Sequence, residues 1–381
     1  IFARRAHSRE GKIQVELAQL RYLLPRLSGR GTQLSRLGGG IGTRGPGETK
    51  LETDRRRIHD RITHLEREIE HFARHQDQRR ARRTRHGLPV LSLVGYTNAG
   101  KSTLTNALVG SKVAIVTPKV QTTRTLLRGI AMVGNAQLVF IDTPGIFAPK
   151  RRLDRAMVTT AWTGAHDADL VGVLIDAKQG LDDEAERVLK QLSEVKQPKV
   201  LILNKVDIVD KDKLLALAHA ANERVKFEST FMISAMTGDG VEDVKNWFAA
   251  RVPEGPWHFP EDEVSDAPLR TLASEVTREK LYLKLHQELP YQSTVETEVW
   301  KEQKDGSVRI EQTIYVERES QRKIVLGKGG QSIRNIGAAA RRELMEILER
   351  PVHLFLFVKV RESWGDDPER YRAMGLEFPK E

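Results

Sequence analysis

Gly95-Tyr96-Thr97-Asn98-Ala99-Gly100-Lys101-Ser102 follows the apolar run VLSLVG and precedes a helix-forming stretch, and this octapeptide constrains the chain more than any other feature. A loop of this composition between a strand and a helix turns consecutive backbone N–H groups inward, at the positive end of a helix dipole, and so cradles phosphates. Gly95, Asn98, Ala99, Gly100, Lys101, Ser102 and Thr103 are the predicted phosphate contacts. Lys101 reaches the β- and γ-phosphates, and Ser102 holds Mg²⁺ through its hydroxyl. The loop demands a sheet behind it. From Pro89 to about Val252, VLSLVG, LLRGIAMV, LVFID, LVGVLID, KVLILN and FMIS read as strands, with helical stretches such as 182–195 and 240–250 between several of them. Such alternation predicts a doubly wound, largely parallel α/β sheet. The Gly134-Asn135 turn predicts one hairpin and one antiparallel edge strand.

The strand ends carry more chemistry. Asp142-Thr143-Pro144-Gly145 closes LVFID, where Asp142 can hold Mg²⁺ through a water and the Gly145 amide can sense a γ-phosphate. Asn204-Lys205-Val206-Asp207 closes KVLILN. Asp207 can accept from N1–H and the exocyclic amine of guanine, and adenine would leave a buried carboxylate unpaired. Ser234 and Ala235 would support the base edge. The four motifs, in order at successive strand ends, point to GTP or GDP as the ligand.

The chain of 381 residues is too long for one core, and its composition (39% hydrophobic, 30% charged) is globular. With no cysteine, disulfides, thiolate zinc sites and cysteine nucleophiles are excluded, and a cytoplasmic address is expected. No apolar run approaches the roughly 20 residues of an integral membrane segment. The first residue is Ile1 rather than Met, which suggests a fragment. Charge is uneven. Residues 1–89 hold 21 Lys and Arg against 10 Asp and Glu, so the whole excess of +10 lies there. A second basic cluster, Arg318, Arg322, Lys323, Lys328, Arg334, Arg341 and Arg342, has Glu319 as its sole acid. Two basic surfaces suit a long polyanion.

Residues 1–88 are expected to form a helical hairpin. Ile13, Leu17, Leu20, Leu24 and Leu27 make one apolar stripe, and Leu51, Ile58, Ile62, Leu65, Ile69 and Phe72 make another. Between them lies a loop with eight glycines from Gly29 to Gly47. Residues 253–268 read as a proline-rich acidic linker. Residues 269–381 follow the order α-β-β-α-α-β, a compact α+β domain. Gly327-Lys328-Gly329-Gly330 between its last two helices fits the GxxG loop of a KH domain, which clamps nucleotide phosphates. Arg322, Lys323 and Arg334 flank it as further RNA-binding candidates.

From Thr103 to Glu381 the chain resembles the Era family of GTPases, in KVQTTRT, DTPG, NKVD, ISA and VERESQRKIVLGKGGQSIRNIG. The resemblance implies a type II KH domain that grips 16S rRNA of the 30S subunit during its assembly. It also implies that a threonine of QTTR completes the Mg²⁺ shell, taken here as Thr123 with Thr122 as competitor. Ile146 stands where Ras-like enzymes keep a water-orienting glutamine, so slow intrinsic turnover is expected. In related GTPases an asparagine at the Asn98 position holds K⁺. A peripheral membrane association is a further partner considered. The first 102 residues are similar instead to the HflX family of GTPases, in FARRAHSREGKIQVELAQL, LSRLGGGIGTRGPGETKLETDRR and LVGYTNAGKST. The chain therefore reads as a chimera joined at the P-loop, whether by engineering, recombination or sequence assembly. Two alternatives stay open: an HflX-like factor directed to the 50S subunit by residues 28–50, and an RNA-binding protein with a structural GDP and no turnover.

Overall fold

The computed structural model describes Glu16, Leu20, residues 56–65, and residues 90–378 apart from Val120, 253–255, 286–288, Ser363 and 365–366. The chain divides into two units, Ile1–Arg85 and His86–Glu381. In the first, residues 56–65 are helical and bury Ile62 and Leu65, two members of the predicted stripe. Arg61 Nε meets Glu16 Oε1 at 2.8 Å. Leu20 and Ile58, also of the stripes, are helical and half-buried, and the glycine-rich loop and the remaining stripe residues lie outside the described residues.

In the second unit, apolar runs that are buried along their whole length dictate a central sheet. Its strands are β1 (Val90–Gly95), β2 (Leu127–Val133), β3 (Ala136–Asp142), β4 (Leu170–Asp176), β5 (Lys199–Asn204) and β6 (Ser229–Ile233), in the order β2-β3-β1-β4-β5-β6. All neighbours are parallel except β2 and β3, the predicted hairpin, which leaves β2 at the edge. Helices α1 (Lys101–Val109), α2 (Arg152–Asp167), α3 (Asp183–Leu192), α4 (Lys211–Arg224) and α5 (Val241–Ala249) cover it. Leu91, Leu93, Phe140, Val173, Leu201 and Phe248 are fully enclosed, each contributing roughly 2 kcal/mol of burial.

The second domain of this unit has α6 (Leu269–Lys284), β7 (Ser293–Glu302), β8 (Val308–Val316), α7 (Glu319–Leu326), α8 (Gln331–Leu348) and β9 (Val352–Val360). Its sheet runs β7-β8-β9, antiparallel then parallel. That is the expected α-β-β-α-α-β order.

Two features depart from a pair of globules on a free tether. The described part of the linker is strapped to the sheet edge: Ile130 N donates to Val264 O at 2.9 Å, and Gln137 Oε1 accepts from His258 N and Phe259 N. The first of these bonds occupies a backbone donor that the edge strand β2 would otherwise expose. After β9 the chain forms the short helix α9 (Pro368–Ala373), and Trp364, Tyr371 and Leu376 bury against Leu153, Ala156 and Met157 of α2. Among the described residues no helix is long and apolar enough to cross a membrane.

Candidate functional site

The P-loop geometry follows from two left-handed residues. Asn98 (φ 64°) and Gly100 (φ 96°) turn the chain between β1 and α1. A Cβ on Gly100 would lie 2.2 Å from Asn204 Nδ2, so close approach as well as φ requires glycine there. Asn204 donates to Ala99 O at 2.8 Å and accepts from Ala235 N at 2.9 Å, tying the phosphate loop to the β6 end. Lys205, itself left-handed, donates to Asn98 O at 2.9 Å and to Asp176 Oδ2 at 2.6 Å. Buried Lys101 donates to Gly95 O and Tyr96 O at 2.9 and 3.0 Å. Burial pushes its ammonium down to about 8, against the opposing charge of Asp142.

Three residues predicted for the metal converge. Asp142 Oδ2 accepts from Ser102 Oγ at 2.6 Å and Thr123 Oγ1 at 3.3 Å, and the two hydroxyls lie 2.8 Å apart. Asp142 Oδ1 is buried with no hydrogen-bond partner, and burial raises the carboxyl above its ordinary range. An orphaned carboxylate oxygen beside two hydroxyls fits a hard, oxygen-seeking cation such as Mg²⁺. Thr122 turns elsewhere, its hydroxyl 2.6 Å from Thr117 Oγ1 and donating to Lys119 O at 2.7 Å. Gly145 approaches the P-loop so closely that a Cβ would lie 2.6 Å from Thr97 Cγ2. Ile146 is buried, and its N–H donates to Gly95 O at 3.1 Å.

Asp207 departs from expectation. It is exposed, on a single 3-10 turn (Val206–Ile208), so its desolvation must come from the base itself. Ser234 is buried, its hydroxyl accepting from Thr237 N.

The KH loop holds Gly327, Gly329 and Gly330 at φ 71°, 59° and 75°. A Cβ on Gly327 would lie 2.7 Å from Ser332 Cβ, whereas Gly329 and Gly330 face open space. Lys323, Lys328 and Arg334 are exposed beside it. Arg322 is not presented in the same way: it donates to Val358 O at 3.3 Å and Glu319 Oε1 at 2.9 Å.

Residues 90–205 match the family model described as 50S ribosome-binding GTPase, residues 288–365 match KH domain, and residues 5–83 match GTP-binding GTPase Middle Region. GTPase Era of Afipia carboxidovorans is 68% identical over 291 residues, covering 76% of this chain and 94% of that protein. The chain belongs to the Era family of GTPases. GTPase Era of Rhizobium meliloti is likewise 68% identical over 290 residues. A crystal structure of Era in complex with MgGDPNP and nucleotides 1506–1542 of 16S ribosomal RNA superposes with TM-score 0.72 at 35% identity, covering 76% of this chain and 98% of that one. Membership of a GTPase family answers the reading in which GDP is only structural. Within the Era frame, sequence reasoning missed Arg124, Arg278 and Glu279. The signal for Arg278 and Glu279 was a polar stripe on α6, Glu275, Arg278, Glu279 and Tyr282 at helical spacing, which reads as a solvated face, and Arg124, in the loop before β2, carries no such pattern.

Proposed function

We propose that this chain cycles between GTP and GDP while its KH domain holds the 3′ end of 16S rRNA, in assembly of the 30S subunit. One observation carries this reading: the chain spans nearly all of an Era protein crystallised with MgGDPNP and that rRNA segment. The P-loop amides and Lys101 bind the β- and γ-phosphates, and Ser102, Thr123 and Asp142 hold Mg²⁺, which neutralises charge developing on the transferred phosphoryl group. Asp207 selects guanine. The Gly145 amide reports the γ-phosphate to the 142–150 loop, and Thr123 reports it to the 117–125 loop. Buried Ile146 cannot orient water, so intrinsic turnover is slow. The test is binding of an oligoribonucleotide of the 16S 3′ end, in a non-hydrolysable GTP analogue and in GDP. Tighter binding with the analogue is expected; equal weak binding with both nucleotides would end the reading.

Asn98 donates through Nδ2 to the switch-loop carbonyl Pro118 O at 3.2 Å, which holds the side chain beside the phosphate loop, and a K⁺ there would take its amide oxygen. Hydrolysis stimulated by K⁺ over Na⁺, and lost in Asn98→Ala, is expected; identical rates in both salts would remove the ion. We place the chain in the cytoplasm, with peripheral membrane association as the remaining partner.

A second reading is favoured by the match of residues 5–83 to a GTPase middle region, outside the Era-like part. On it, residues 1–102 are HflX-like, the chain is a chimera, and residues 28–50 direct it to the 50S subunit or the 70S ribosome. Co-sedimentation with separated subunits distinguishes the two destinations.

A further inference from the structure

Thr123 sits in a loop without regular structure, between α1 and β2, yet its hydroxyl is held beside Ser102 and Asp142. Within the G domain the loop is tied by Gln121 Nε2, which donates to Asp154 Oδ1 at 3.1 Å, and on either side of Thr123 it is held by the KH domain. Thr122 O, one peptide before Thr123, accepts from Arg278 Nη2 of α6 at 2.5 Å. Arg278 is almost wholly buried and is itself clamped by Glu275. On the other side, the Arg124 side chain leaves the G domain altogether. It donates to Ser293 O at 2.8 Å, to the Tyr282 hydroxyl at 2.7 Å and to Tyr291 O at 3.2 Å. Its guanidinium carbon lies 5.8 Å from the Tyr282 ring centroid and 5.6 Å from that of Trp364. Further along the loop, Val116 N donates to Glu279 Oε1 at 2.9 Å, and Lys119 donates to Leu285 O. So the peptide before Thr123 and the side chain of the residue after it are held by α6 and the segment leading into β7, and none of these partners belongs to the nucleotide site.

We infer that Arg278 and Arg124 are positioning residues for Thr123, through which the KH domain sets the metal site of the G domain. The inference rests on the reading of Thr123 as a Mg²⁺ ligand. A buried guanidinium with several fixed acceptors has one available geometry, so the loop between two such anchors has little freedom of its own. A group that orients a ligand from outside typically changes metal affinity or activity by about 10- to 100-fold when removed. Because a switch-loop threonine meets the ion with the γ-phosphate present, the effect is confined to the GTP state. By reciprocity, Mg²⁺–GTP stabilises the same seating of the KH domain.

The test uses the full chain and equilibrium binding of a fluorescent GTP analogue across a Mg²⁺ titration, with GDP affinity and thermal melting as controls. Arg278→Met is expected to raise the Mg²⁺ midpoint for the analogue about tenfold while GDP affinity stays unchanged, and Arg278→Lys to recover part of the loss. Thr123→Ala shifts the midpoint too, and adding Arg278→Met to it produces no further shift, since both act through one contact. Additive shifts would mean a merely structural arginine and would overturn the inference. Should Arg278→Met melt or lose GDP, Tyr282→Phe decides instead: it removes one hydroxyl acceptor of Arg124, and an unmoved midpoint overturns the inference. If Thr123→Ala alone leaves the midpoint in place, the metal role of Thr123 falls first. If Thr123→Ala moves it and neither α6 variant does, that role stands and the inference fails.

Discussion

At the scale of the residue, the P-loop shows how far a motif can be read and where it stops. Gly100 is required twice over, by a φ of 96° and by Asn204 Nδ2 in the space a Cβ would fill. The motif predicts the glycine, but the second reason exists only once β5 is laid beside β1's loop. Thr122 and Thr123 are equivalent in the sequence because the choice depends on the path of a loop anchored by Arg124, more than 150 residues away in sequence from its partner Tyr282. Charge density places Arg322 among the RNA-binding candidates and cannot reveal that its guanidinium also turns toward the carbonyl of Val358. Asp207 is a case where exposure sharpens a prediction. Its carboxylate is accessible and bonded into no network that a substitution would break, so Asp207→Asn should leave folding intact and alter base choice alone. GTP affinity is expected to fall about 100-fold with a gain for xanthosine triphosphate, because the amide reverses one donor–acceptor pair. Competition binding of the two nucleotides checks this, and unchanged GTP preference would withdraw the assignment.

At the scale of the element, patterning located the strands of the central sheet within a residue or two, since buried parallel strands are continuous apolar runs that amphipathic helices interrupt. It did not show what the elements do to one another. The linker was legible as punctuation, but its bonds to β2 were not, and α9 is too short for periodicity to register. The same gap hides the polar face of α6, where Glu279 joins the two domains. Burial alone would raise the Glu279 carboxyl, but hydrogen bonds from Lys112, Lys280 and the Val116 amide outweigh it and hold it below its ordinary 4.5. A carboxylate with a lowered pKa contributes stability above its unfolded value, and that contribution is lost as pH falls through the folded one. Glu279→Gln is therefore expected to destabilise the chain by roughly 2 kcal/mol at pH 7, with the gap to the parent protein closing below about pH 4.5. Denaturant melts at pH 7 and pH 4 measure this; a constant gap would mean the charge is irrelevant. The KH loop permits a cleaner separation. Gly329 has φ 59°, which aspartate tolerates better than most residues, and nothing lies within 4 Å of its Cβ position. Gly329→Asp should keep GTP hydrolysis at the parent rate and weaken 3′-end RNA binding about tenfold or more by placing a carboxylate against phosphates. Filter binding alongside a phosphate-release assay reads both, and undiminished RNA binding would take the loop out of the interface.

At the scale of the whole molecule, charge and domain division coincide. Residues 1–89 carry the entire positive excess, while residues 86–381 form one contact unit that corresponds to nearly the full length of the Era relatives. The two basic regions can therefore be separated by their salt dependence. Each phosphate neutralised by Lys or Arg steepens the fall of log affinity with log salt by about 0.9 on duplex and about 0.7 on single-stranded nucleic acid. A chain beginning at His86 is expected to hydrolyse GTP at the parent rate, because no residue assigned to the nucleotide site lies before Gly95. It should also bind the 16S 3′ end, through a loop whose geometry is set entirely within the second unit. What it should lose is strong, sequence-indifferent binding to unrelated RNA, with a salt slope shallower by several. Sedimentation with separated subunits then assigns the N-terminal region. If the full chain and the shortened one both travel with 30S, residues 1–85 supply only general attraction to polyanions. If the full chain travels with 50S and the shortened one does not, the second reading prevails and the G domain is being addressed from its N-terminal side. The energetics make the two outcomes separable, because counterion release is lost at high salt while a shaped contact with one subunit persists.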